Sequence, residues 1–153
     1  MKINTLIVSV LSAAITAGAA SPALAADLGA LRIKTSTNIA SDCKAASYDP
    51  AWSCFMNEYE KKSGVEALVP TPTIYIRPDL PSVIAQYALM QSVGHYLAMP
   101  YSDQELAQVF NPAPNQKGFQ DVRRAAAMNF ALWALGGQLP PAKVAFFHAA
   151  LLR

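Results

Sequence analysis

The chain has 153 residues and carries 12 Lys and Arg against 10 Asp and Glu, a formal net charge of +2. These charges are scattered, with no basic stripe and no aromatic ladder, which argues against nucleic acid as a partner. Beyond the N-terminal region no apolar run approaches the roughly 18 uninterrupted residues of a membrane span, so a soluble domain is expected.

The N-terminus reads as a targeting segment. Lys2 supplies a positive start, Leu6 to Gly18 is mainly apolar, and Ser21-Pro22-Ala23-Leu24-Ala25 ends in an Ala-x-Ala pattern. Cleavage after Ala25 is expected, making residues 1–25 a signal peptide and residues 26–153 a single periplasmic or secreted domain with no membrane attachment. About 128 residues remain, enough for one hydrophobic core. Removing the leader also removes Lys2, so the charge becomes nearly balanced. In an oxidising compartment an even pair of cysteines usually joins, so Cys43 and Cys54 are expected to form a disulfide. Closing a loop of about 12 residues stabilises by roughly 3 kcal/mol in the chain-entropy account.

Leu31 to Thr35 alternates apolar and polar residues, as a short half-buried strand would. Asp49-Pro50 is an N-cap followed by proline, which predicts a helix through Trp52, Phe55, Met56 and Tyr59 to a glycine cap at Ser63-Gly64. Cys54 would lie inside that helix. Val69 to Pro78 reads as an extended segment with Ile74 and Ile76 on one face and Tyr75 and Arg77 on the other. Its prolines predict an edge strand, because proline cannot donate into a ladder.

A central helix should begin at Pro81-Ser82 and fade near Met99-Pro100. Ser102-Asp103-x-Glu105 is a capping box for a helix from Asp103 to about Phe110. Asn111 to Lys117 reads as a loop. Gln120 to Leu135 places Val122, Ala126, Phe130 and Trp133 on one stripe and stops at Gly136-Gly137. A last helix starts at Pro140-Pro141 and includes Val144, Phe147, His148 and Leu151. The fold class is therefore α+β, mostly helical, with a small sheet packed on the central helix.

The chemistry-bearing residues gather on that central helix. Leu89-Met90-Gln91-Ser92-Val93-Gly94-His95-Tyr96-Leu97 resembles the Leu-x-His-Glu-x-Gly-His-x-Leu zinc helix of small gluzincin-like metallopeptidases, matching at Leu89, Gly94, His95 and Leu97. A second segment, Ala126-Ala127-Met128-Asn129-Phe130-Ala131, is similar to the Glu-x-x-x-Phe-Ala segment that supplies the third ligand in that family, matching at Phe130 and Ala131. The resemblance spans about Pro50 to Leu152. It implies a zincin-like fold and assigns Gln91, His95 and Ala126 to former ligand positions and Ser92 to the former general-base position.

Zinc is not expected. Glutamine is a poor ligand beside imidazole or carboxylate, alanine offers none, and serine cannot replace the carboxylate that takes a proton from bound water. The domain is thus expected to be non-catalytic, with no cofactor. It would bind a peptide or protein partner through the edge strand and the old cleft, where Tyr75, Arg77, His95, Arg123 and Arg124 are the candidate contacts.

Two alternatives remain open. One is a divergent active metalloenzyme using His95 with Asp103 or Glu105. The other is a structural envelope protein whose cleft has closed over Gln91, His95 and Arg124. A Ser92–His95 nucleophilic pair is disfavoured, because mid-helix amides are already bonded and cannot form an oxyanion hole. The sequence leaves the oligomeric state open.

Overall fold

The computed structural model describes residues 31–43, 52–61, 63–64, 66–110 and 120–153. The expected signal peptide, the expected helix start at Asp49-Pro50 and the expected loop at 111–117 lie outside the described residues. In chain order come β1 (Arg32–Thr35), α1 (Ile39–Asp42), β2 (Ser53–Lys61), β3 (Leu68–Ile76), α2 (Ser82–Ala98), α3 (Asp103–Phe110), α4 (Gln120–Ala134) and α5 (Pro141–Leu151). The α+β, mostly helical class is as expected.

Two local expectations are overturned. The segment Ser53–Lys61 is a strand, not a helix. Its apolar residues fit helical spacing, but Cys54, Phe55 and Met56 also run consecutively, as in a strand buried on both faces. Phe55 enters the main core beside Ile74 and Ile76, while Cys54 joins Ile39 and Cys43 in a small cluster on the other sheet face. Ladder bonds to β3 and burial on both faces outweigh the local helical signal. Gly64 does adopt the left-handed conformation, with φ +81°, but it lies between two strands.

The second correction concerns β3. The sheet order is β1-β3-β2, so the Tyr75 strand is the middle one. β1 runs parallel to β3, with Arg32 opposite Thr73 and Thr35 opposite Ile76. β2 runs antiparallel to it, with Ser53 opposite Ile76 and Lys61 opposite Leu68. The prolines survive in a middle strand for a geometric reason. The Ile76 carbonyl accepts from the Ser36 amide on the β1 side, and the Arg77 amide donates to the Trp52 carbonyl on the β2 side. Alternation therefore turns the nitrogens of Pro72 and Pro70 toward the β1 side. Among the described residues the β1 pairing begins only at Thr73, so no ladder bond is lost there.

The Cys43–Cys54 disulfide forms, tying the end of α1 to β2. The α1 turn itself is nucleated by Asn38, whose side chain accepts from the Ser41 amide.

α2 is apolar nearly all round because it is buried nearly all round, with the sheet on one side and α4 on the other. The α2–α4 crossing is unusually close at Gly94. A Cβ there would lie 2.8 Å from Ala127 Cα and 2.9 Å from both Ala127 O and Phe130 Cβ. Two of those three atoms are backbone and cannot rotate away. The facing residues Ala126, Ala127 and Ala131 are fully buried and small, which lets the two axes approach.

The remaining helices are set by caps and aromatic packing. The Ser102 Oγ accepts from the Glu105 amide at 3.3 Å, and the Ser102 amide donates to Glu105 Oε2 at 2.7 Å, the reciprocal pair expected of the capping box. α4 ends in a Schellman arrangement, with Gly136 at φ +91°, its amide on Trp133 O at 3.0 Å, and the Gly137 amide on Leu132 O at 2.7 Å. Phe110, Phe130, Trp133, Phe146 and Phe147 then form a continuous ring cluster joining α3, α4 and α5.

Two outcomes follow from this packing. Gly94→Ala gains about 1 kcal/mol of helix propensity but drives a methyl into backbone, an overpacking cost of about 1–3 kcal/mol or more. A net loss of stability is expected in urea unfolding, with an unchanged denaturant slope. Reducing the disulfide should lower stability by about 3 kcal/mol in the same measurement.

Candidate functional site

Gln91, Ser92 and His95 sit on the fully enclosed part of α2, at 5%, 2% and 7% exposure, and Ala126 on α4 is completely buried. The Gly94 turn of α2 lies directly against Ala127 and Phe130 of α4. These positions do not line an open cleft. They belong to the packed layer between the sheet and α4.

Ser92 is already engaged. Ser53 Oγ lies 3.0 Å from Ser92 Oγ and donates to the Ala88 carbonyl at 3.0 Å. A hydroxyl has one proton, so with Ser53 donating to Ala88, the Ser92 hydroxyl donates to Ser53. This chain of bonds ties β2 to α2 and satisfies two hydroxyls that would be costly to bury unpaired. Ser53 was not among the residues singled out from the sequence. Only the pairing of β2 with β3, which turns Ser53 toward α2, brings it there.

His95 is kept neutral. Burial, then the positive charges of Arg123 and Arg124, push its imidazole down from the ordinary 6.5 to about 4. A neutral imidazole can ligate a metal, but further ligands are needed. Asp103 pairs with Arg123, with Nε 2.6 Å from Oδ1, and Glu105 is spent on the Ser102 cap. Among the described residues no three His, Cys, Asp or Glu side chains gather closely enough to hold a metal ion.

The two arginines part company. Arg123 reaches back to the end of α2, donating to the carbonyls of Ala98 at 3.1 Å and Tyr101 at 2.7 Å while pairing with Asp103. It thereby caps the C-terminal end of α2 and fixes the start of α3, a role that combines charge with the helix dipole. Arg124, the next residue, is exposed. Of the three positions whose enclosure would mark a closed cleft, Gln91 and His95 are sealed and Arg124 is not.

Tyr75 packs on the sheet face of Ile39, Cys43 and Cys54, opposite the Ile74 and Ile76 face that meets α2. The Tyr75 hydroxyl donates to Glu58, whose carboxylate also accepts from Lys34 Nζ at 2.7 Å. These two hydrogen bonds, from Lys34 first, hold the Glu58 carboxyl below its usual range. The same carboxylate raises the Tyr75 phenol. With the Arg32–Glu60 pair they form an ion-paired outer sheet face reaching from β1 across β3 to β2. Arg77 closes on Asp79 just past the strand. His148 stands exposed against the Trp133 ring, 5.3 Å between centroids, at the rim of the aromatic cluster.

No protein-family model, curated protein or solved structure matches this chain. Among the described residues no helix is long and apolar enough to cross a membrane.

The depressed imidazole makes a pH prediction. Below pH 6.5 the unfolded chain takes up a proton at His95 that the folded chain refuses until about pH 4. The unfolded state then binds more protons, so this contribution to stability is whole above about 6.5 and is lost as pH falls toward 4. Between pH 7 and pH 5 the wild-type protein should lose about 2 kcal/mol more than a His95→Gln variant, measured by urea unfolding at each pH. Parallel pH curves for the two proteins would contradict the assignment.

Proposed function

We propose that this chain is a non-catalytic, metallopeptidase-like domain of the periplasm or the extracellular space, and that it binds an extended peptide segment by strand addition at β2. Three of the four positions that carry chemistry in gluzincin-like peptidases hold Gln91, Ser92 and Ala126, and all three are enclosed. That enclosure supports a domain kept for its shape and surface rather than for hydrolysis. The disulfide suits an oxidising compartment.

The observation that carries the binding mode is the sheet order. β2 is nine residues long and lies at the sheet edge. Because Trp52 pairs its carbonyl with the Arg77 amide, alternation turns the backbone groups of Ser53, Phe55, Asn57, Tyr59 and Lys61 away from β3. No described strand lies on that side. A partner strand would find donors and acceptors at every second residue, the geometry used in strand-addition complexes. Tyr59, 64% exposed and opposite Pro70, offers an aromatic face beside that edge.

The test is a substitution that removes one outward donor without touching the β2–β3 ladder. Tyr59→Pro does so, since the Tyr59 amide does not point at β3. Nine-residue peptides selected from a displayed library on the folded protein should bind the wild type and Tyr59→Ala, and lose about tenfold or more in affinity for Tyr59→Pro. Selection of no peptide above background, or equal binding to Tyr59→Pro, would remove the strand-addition reading.

A further inference from the structure

The two faces of β2 offer an added strand different chemistry. On the outer face Glu58 and Glu60 stand two residues apart. Glu58 accepts from Lys34 Nζ at 2.7 Å and from the Tyr75 hydroxyl, and Glu60 pairs with Arg32. On the inner face the sheet runs on past the end of α2, where Asn57 reaches Met99 Sδ at 3.4 Å. Around that contact Tyr59, Leu68 and Met99 are 64%, 59% and 42% exposed. Pro70, opposite Tyr59, is exposed as well. Together they make an apolar shelf beside the edge that no described strand covers.

The chain holds its own example of a strand that suits these groups. β1 reads Arg32-Ile33-Lys34 and, being parallel to β3, runs antiparallel to β2. Its first cation goes to Glu60, its second to Glu58, and Ile33 between them packs against the main core on the inner face. Those cations reach over β3 from two strands away, whereas a strand added to β2 would lie about 5 Å from it. Glu60 has room for a further donor. Among the described residues it accepts one hydrogen bond, from Arg32, of the roughly four that a carboxylate can take. Glu58, with Lys34 and Tyr75, is the more committed of the two. A second β2 is a poor occupant, since antiparallel registers centred on Glu58, Tyr59 or Glu60 set carboxylate directly against carboxylate.

We propose that the segment taken up by β2 is a basic peptide that pairs antiparallel to it and reads cation, apolar residue, cation. The first cation lies opposite Glu60, the apolar side chain opposite Tyr59, and the second cation opposite Glu58. The proposal rests on strand addition at β2 and gives that site its ligand class. Its register follows from the backbone. Tyr59 turns its amide and carbonyl to the open edge, so it and the residue opposite exchange both hydrogen bonds. Glu58 and Glu60 then fall at the alternate, non-hydrogen-bonded pairs, where facing side chains approach more closely. The apolar residue extends the shelf of Tyr59, Pro70 and Leu68, and the two cations meet carboxylates on the other face.

Fluorescence anisotropy with three labelled nine-residue peptides tests this, the peptides being identical except for a central Arg-Val-Lys, Gln-Val-Gln or Glu-Val-Glu. The cationic peptide should bind about tenfold tighter than the neutral one, and the acidic peptide should bind weakest. The gap should narrow as salt rises. Glu60→Gln, checked for an unchanged urea midpoint, should cut the cationic preference severalfold, while Tyr59→Pro should weaken the cationic and neutral peptides alike. Direction is read by charge reversal: Glu60→Lys should prefer a central Glu-Val-Lys to Lys-Val-Glu, and the opposite preference overturns the antiparallel register. Equal binding of cationic and neutral peptides, both lost in Tyr59→Pro, overturns the basic ligand and leaves strand addition standing. A cationic preference untouched by Glu60→Gln overturns it too. Binding of none of the three up to about 1 mM removes strand addition and this proposal together.

Discussion

The fold depends on the absence of a side chain at Gly94. Only there can α2 come close enough to α4 for the main chain of one helix to rest on the other. That contact sets the depth of Ala126, Ala127 and Ala131, places Phe130 between α2 and the aromatic cluster, and leaves α2 sandwiched against the sheet. A helix enclosed on both sides must satisfy any polar group it carries from within. The burial of Gln91, Ser92 and His95 follows from the crossing itself.

Those polar residues therefore tie elements together. Ser92 reaches β2 through Ser53, and Arg123 from α4 holds the last carbonyl of α2, at Ala98, with that of Tyr101 just beyond it and Asp103 at the head of α3. His95 stays uncharged in the space between these attachments, where burial and the nearby arginines both oppose a proton. Gly94 and His95, on which the expected likeness to a zinc helix rested, are packing residues here: the glycine permits close helix contact and the histidine is enclosed in a core.

Much of the helical half was legible in the chain because its signals are local. Ser102 and Glu105 form the cap their spacing specifies, Gly136-Gly137 ends α4, and Pro140-Pro141 opens α5. The site was legible only as a set of residue types. Ser53 was invisible as a partner of Ser92, since the two are 39 positions apart and meet only through sheet register. Arg123 and Arg124 are adjacent in sequence, yet one is a helix clamp and the other is exposed, a difference of about 100° around the helix.

By itself the sequence determined α2 to α5 with the Ser102 cap and the Gly136 stop, the pairing of the two cysteines, and the α+β class, because each rests on short-range chemistry or on a count. Tertiary structure alone decided that residues 53–61 form a strand, that the proline-bearing strand occupies the middle of the sheet, and that Gln91, Ser92 and His95 face the interior. The physical reason is common to all three. Phe55 and Cys54 can each be buried only when two different layers exist to receive them, and Pro70 and Pro72 are tolerated because, among the described residues, the β1 pairing does not reach them. Such conditions are set by elements distant along the chain, and no local window of residues contains them.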